Sequence, residues 1–174
     1  MSVPSSLDPD QSWRILGLVT EWIKHAEAKA AGTLAAASVS GGILYSLVEN
    51  QASAGFFLSV SAVICCALII AGGLSAAWAL RPRLWSREAP KSSLYFNHIA
   101  KAHPKKAGSA AYLDALRLVT ASHEALVAEI ADQIWANAQV AKTKYAWASV
   151  GLAFILLAIV ALGATTLAVA LNSR

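Results

Sequence analysis

The sequence predicts an all-α integral membrane protein with three transmembrane helices, the first and last extending as long helices into a cytoplasmic helical module. Three observations lead there. First, 57% of the 174 residues are hydrophobic and only 14% are charged, against about 45–50% and about 25% in soluble domains. Second, Asp, Glu, Lys and Arg are absent from 30–48, 50–80 and 145–173, runs of 19, 31 and 29 residues. A hydrocarbon core of about 30 Å takes about 20 helical residues at about 1.5 Å each. Each run therefore supplies one span, and the second is too short for two spans and a turn. Third, the residues flanking the first and last runs continue an apolar pattern at helical spacing. The composition excludes disordered, acidic and collagen-like chains and argues against an ordinary soluble enzyme.

In chain order, residues 1–10 carry two prolines and no apolar period, and read as a flexible tail. Asp10 or Ser12 is the expected N-cap of the first helix. Trp13, Leu16, Val19, Trp22, Ile23 and Ala26 fall at helical spacing, so 11–30 reads as a cytoplasmic amphipathic helix. It runs without a breaker into a first span over 31–48, making one helix of about 57 Å. The acids near the start and the late apolar run do not suit a cleavable signal peptide, so the first span is expected to stay as a signal anchor. Residues 49–55 form a short periplasmic loop, and 56–80 the second span, closed by Trp78 as an interfacial anchor and by Pro82. Residues 81–109 hold Pro82, Pro90, Pro104 and Gly108, and read as a basic cytoplasmic loop with one short helix near 92–102. From 110 the residues Leu116, Val119, His123, Val127, Ile130, Ile134, Ala138, Ala141 and Tyr145 recur with a mean step near 3.6. That predicts a cytoplasmic amphipathic helix over 110–144 running straight into a third span over 145–171, roughly 90 Å in all. Residues 172–174 are a periplasmic tail.

Charge asymmetry sets the orientation. The segment 81–144 holds ten Lys and Arg, whereas 49–55 holds none. The positive-inside tendency places the long segment and the N-terminus in the cytoplasm and the C-terminus in the periplasm of a bacterial inner membrane.

The chemistry is sparse. No nucleophile elbow, phosphate-binding loop, dinucleotide fingerprint or zinc-helix motif is present, so no catalytic residue, metal or cofactor is expected and the protein is not read as an enzyme. Ser122-His123-Glu124 has triad residue types, but helix neighbours point apart and read as solvated or interhelical side chains. Cys65 and Cys66, adjacent inside the second span, lack metal-ligand partners and read as small apolar filler. The stretch 81–106 carries seven Lys and Arg against Glu88 alone. These cations suit anionic lipid headgroups. Arg81, Arg83 and His98, with aromatic Tyr95 and Phe96, also suit an anion site with a stacked base. A net charge of +4 along a membrane surface does not make a duplex-binding stripe, so nucleic acid is not an expected partner. Glu27 can pair with Lys24 one turn away, or across helices with Lys142 or Lys144 at the matching depth, while Lys29 snorkels. Small residues spaced by four, Ala37/Gly41, Ser38/Gly42 and Gly73/Ala77, with Gly151, permit close helix packing and fit a homo-oligomer.

Four segments resemble the small transmembrane effectors of Pycsar antiphage systems. They are Glu27-Ala28-Lys29-Ala30, Arg81-Pro82, Leu94 to Ile99 with its Phe-x-His-Ile, and Asp132-Gln133-Ile134 through Lys144-Tyr145 and Trp147. Glu27 stands where the family pattern has Asp. The resemblance implies a bacterial abortive-infection defence. In it a cyclase encoded by an adjacent gene makes cCMP or cUMP, and the effector answers by impairing the inner membrane, whose lipid is its other partner. It implies candidate ligand-binding residues at the motif positions and the basic loop: Glu27, Lys29, Arg81, Arg83, Phe96, His98 and Lys144. The alternatives are a holin-like lysis protein or a structural membrane subunit without a nucleotide ligand.

Overall fold

The computed structural model describes residues 8–49, 51, 55–82 and 92–172. Its described elements are helices α1 (Pro9–Val48), α2 (Phe56–Leu80) and α3 (Phe96–Ala102), a 3₁₀ turn (Lys105–Ala107), then α4 (Ala110–Thr120) and α5 (His123–Asn172). No strand occurs among the described residues. Three helices are long and apolar enough to cross a membrane: Pro9–Val48, Phe56–Leu80 and His123–Leu171. The chain divides into two compact units, a head unit of residues 1–23 and 82–142 and a span unit of residues 24–81 and 143–174.

The first helix begins earlier than the sequence predicts. Asp8, not Asp10 or Ser12, caps it: its carboxylate accepts from the Asp10 N–H at 3.0 Å. Pro9 then occupies the first helical position, where its missing N–H costs no hydrogen bond. The remainder of the expected tail, 1–7, lies outside the described residues. α2 has the expected bounds. Arg81 leaves it with ψ 126°, the extended geometry that a following proline imposes.

Two further expectations are corrected. The short helix starts at Phe96 rather than near Ser92, because Ser92 turns the chain instead: the Leu94 N–H donates to its hydroxyl at 3.2 Å, and its own N–H donates to His98 Nδ1 at 3.3 Å. The helix expected to run unbroken from 110 is divided at Ala121–Ser122. Ser122 caps α5, its hydroxyl accepting from the Ala125 N–H at 3.0 Å, and Glu124 sits in the first turn. Ala121 keeps helical dihedrals, φ −67° and ψ −26°, so the break leaves the apolar period nearly in phase.

The span unit packs around small residues. Its buried positions on α1 are Ala26, Ala30, Thr33, Ala37, Ser40 and Leu44, each three or four residues from the last. α2 repeats the pattern with Leu58, Cys65, Ile69, Gly72, Ala76 and Ala79, and α5 with Lys144, Ala148, Gly151, Ile155, Ala158 and Thr165. Alternating steps of three and four average 3.5, the period of a coiled-coil seam. α2 and α5 come close at Gly72 and Gly151, where a Cβ built on Gly151 would lie 3.2 Å from the Gly72 carbonyl oxygen. Phe56, Phe57, Ile70, Leu74, Leu156, Val160 and Leu167 all point outward. Many large apolar side chains outside, and small ones making up much of the inside, is the arrangement that lipid permits and water penalises. The buried hydroxyls of Thr33, Ser75 and Thr165 donate to carbonyls one turn back in their own helices.

The head unit is built the ordinary way, with Val19, Val127 and Ile130 buried. On its part of α1 the inward row is Leu16, Val19 and Ile23, while Trp13 and Trp22 flank it and stay half exposed. Tyr112 donates its hydroxyl to the Ser93 carbonyl at 3.2 Å and packs its ring 5.5 Å from that of His103.

Candidate functional site

At one end of the span unit, three helices meet in a collar of charged and aromatic side chains. Lys144 of α5 is its centre. The ammonium is 2.9 Å from Glu27 Oε1 on α1 and donates to the Ala79 carbonyl of α2 at 2.8 Å. Glu27 thus takes the cross-helix partner, not Lys24. Ala79 lies in the last turn of α2, whose final carbonyls have no helical partner. A lysine there satisfies one of them and opposes the negative end of the helix dipole. Lys144 is 5% exposed, whereas the Glu27 side chain is 43% exposed. The pair therefore spans the boundary between packed interior and surroundings. Taking away the acid would leave a buried ammonium with the Ala79 carbonyl but without its counter-charge, which is destabilising.

Aromatic rings surround this tie. Lys29 sits 5.2 Å above the Tyr145 ring and Arg81 5.2 Å from the Trp78 ring. Both distances fall within cation–π range. Trp78 and Trp147 stand 6.2 Å apart with their planes tilted by 53°. Beneath them, Ala30, Ala79 and Ala148 form a small buried cluster. Glu27, Lys29, Arg81 and Lys144, drawn from three distant stretches of sequence, are therefore brought together. Arg83 lies outside the described residues.

The collar is where three of the four sequence motifs meet, and comparison with known proteins accounts for them. A family described as "Pycsar effector protein domain" matches residues 11–171. A curated relative, "Pycsar effector protein PtPycTM" from Propioniciclava tarda, is 33% identical over 163 residues, covering 92% of this chain and 80% of that protein. The chain belongs to the Pycsar effector family. No solved structure matches it. The effector is accordingly a multi-pass membrane protein of antiphage defence, and its family is one of transmembrane effectors rather than an enzyme class.

The fourth motif, around Phe96 and His98, falls in the head unit. Phe96 is exposed and its ring lies 4.8 Å from that of Tyr95. Tyr95 in turn stands edge-on to His98 at 5.0 Å. Because His98 Nδ1 accepts the Ser92 N–H, the imidazole proton is assigned to Nε2. That Nε2 is buried without a hydrogen-bond partner. Glu129 Oε2, also in the head unit, is buried and unpartnered too. Sequence reasoning missed Glu129, since one acid among several on an amphipathic helix carries no mark. It missed the Ala79 carbonyl for a plainer reason, that a backbone acceptor has no letter. Among the described residues no group of three or more His, Cys, Asp or Glu side chains is placed to hold a metal. Cys65 is buried with its thiol 3.5 Å from the Ala158 carbonyl, and Cys66 points outward.

Proposed function

We propose that the effector is switched on by a cyclic pyrimidine mononucleotide, cCMP or cUMP, from a partner cyclase, and that it then kills the infected cell by impairing the inner membrane. The single observation that carries the ligand is the pair of buried, unpartnered atoms in the head unit. His98 Nε2 is a donor and Glu129 Oε2 an acceptor. Buried polar atoms in folded proteins are nearly always satisfied. A pyrimidine edge offers what each needs, a ring carbonyl to His98 and an N–H to Glu129. The exposed Phe96 ring is a stacking surface for the base. Lys29, Arg81 and Arg83, singled out in the sequence, suit a phosphate, and of these Lys29 and Arg81 lie in the span unit.

The head unit faces the cytoplasm in this reading, with the N-terminus inside and the C-terminus outside. Ser38 and Gly42 support a homo-oligomer, because a side chain added at Gly42 would meet nothing within the chain. Gly151, and Gly73 against Ala37, are already used by packing inside it. Calorimetric titration of the purified effector with cCMP, cUMP, cAMP and cGMP tests the ligand. One of the two pyrimidine nucleotides should bind, and H98A and E129A should each weaken it at least about tenfold, as losing a buried hydrogen bond to a ligand does. Binding of neither pyrimidine nucleotide would overturn the reading. A C-terminal alkaline phosphatase fusion should be active, and a fluorescent C-terminal GFP fusion would reverse the topology.

A further inference from the structure

The span and head units are joined by three stretches of chain, at 23–24 in α1, at 81–82 after α2 and at 142–143 in α5. Glu27, Ala79 and Lys144 each lie within four residues of one of these crossings. One ammonium therefore ties together the three helices inside the span unit, a few residues along the chain from where each leaves it. We propose that this tie is a releasable latch that keeps the spans closed until the head unit is engaged. The proposal rests on the reading of the effector as a gated membrane-impairing protein, and adds how the gate is held.

The chemistry of the tie suits release. The fully buried apolar part of the interior at this level is three alanines, Ala30, Ala79 and Ala148, with the partly buried Leu80 against them, and alanine methyls offer little dispersion attraction. The polar tie thus adds to a modest apolar association. An apolar side chain at 144 would hold the helices as well, since well-packed apolar groups replace buried ion pairs without loss. It would give the separated state nothing. By contrast, when the helices part Lys144 regains water or headgroup phosphates, and Glu27 regains water. A buried pair at this position therefore narrows the gap between closed and open states, and a ligand with differential affinity for the two need supply less to move the population.

The two partners then have opposite mutant signs, which a merely structural pair would not show. E27A leaves Lys144 buried without its counter-charge and biases the bundle open. K144M removes the buried charge while Glu27 stays half solvated, and biases it shut. The full-length effector is reconstituted into liposomes loaded with self-quenched dye, with no nucleotide present. E27A should release dye at least about tenfold faster than the unaltered protein, in line with the cost of stranding a buried charge. E27Q, whose amide oxygen can still accept from Lys144, should fall between the two. K144M should stay silent without nucleotide and respond less than the unaltered protein when cCMP or cUMP is added.

An inserted E27A as silent as the unaltered protein overturns the latch, and so does a K144M that leaks unprompted. If E27A fails to insert, E27Q decides by the same criterion. Leakage by E27A with no response of the unaltered protein to either nucleotide leaves the latch standing and overturns the assigned signal. A silent E27A beside a responsive unaltered protein does the reverse.

Discussion

The two units of this chain solve the packing problem with opposite choices. In the span unit Ala30, Ala79, Ala148, Gly72 and Gly151 lie inside beside the larger Leu44, Leu58, Ile69 and Ile155, while Phe57, Leu74, Leu156 and Val160 face outward. In the head unit Val127 and Ile130 are inside. Water drives large apolar side chains inward, at about 25 cal/mol per Å² removed from solvent. Lipid exerts no such pull, and close contact between helices becomes the means of association. Cutting a large side chain should therefore be costly inside the head unit and cheap on the outside of the span unit, whereas enlarging a small one should be costly inside the span unit.

The largest expected effect tests the first half of that statement. Ile130 is fully buried, and Ile130→Ala should destabilise the head unit by about 2–5 kcal/mol. Its melting transition should fall and the response to nucleotide should be lost, with membrane insertion intact. Ile159→Ala, on the outer face of α5, should leave melting and response within error of the unaltered protein. Equal losses from both would mean that Ile159 faces protein, not lipid. Next in size is Gly151→Val. Its added carbons meet backbone of α2, and overpacking costs about 1–3 kcal/mol. Gly163→Val on the same helix, where a Cβ meets nothing within 4 Å, serves as its control. Thermal unfolding in detergent should separate the two.

The contrast between units also explains what was legible in the sequence. The spans were plain because absence of charge over 19 or more residues is a signal that needs no partner. Which face of each span turns inward was not plain, because residues on every face are apolar or small. Only the recurrence of Ala30, Thr33, Ala37, Ser40 and Leu44 in steps of three and four marks the seam, and Ser38 and Gly42 offer a competing stripe. The collar was half legible. Glu27, Lys29, Arg81 and Lys144 stand out at the edges of uncharged runs, but the element that joins two of the helices is the Ala79 carbonyl. The break at Ala121–Ser122 was hidden because it is short, Ala121 keeping helical dihedrals, and Leu116, Val119, Val127 and Ile130 continue one apolar spacing across it. Ser122 with Glu124 was the available sign, and it points to a cap rather than to chemistry.

That cap gives a third, smaller effect. Ser122→Ala should cost about 0.5–2 kcal/mol, and Ser122→Asn, which restores an acceptor, should recover most of it. The change should be confined to the head unit. Hydrogen exchange at the first turn of α5 should quicken, while the amides of the span unit, which lie far along the same helix, should not change.

The smallest effect sets one ion pair against the other. Arg117 and Asp114 lie 3.3 Å apart on α4, with side chains 70% and 73% exposed. Lys144 and Glu27 are only slightly closer, yet one member is buried. Exposed pairs are screened by water and salt and contribute about 0–1 kcal/mol. Arg117→Ala should therefore shift the melting transition barely at all, and raising salt should abolish what shift there is. Glu27→Ala should produce its effect at every salt concentration, because the stranded ammonium has no ions to screen it. An Arg117→Ala effect as large and as salt-resistant as that of Glu27→Ala would mean that Arg117 faces a partner absent from the isolated chain. The comparison between units would then turn on what covers the head unit, and no longer on lipid against water.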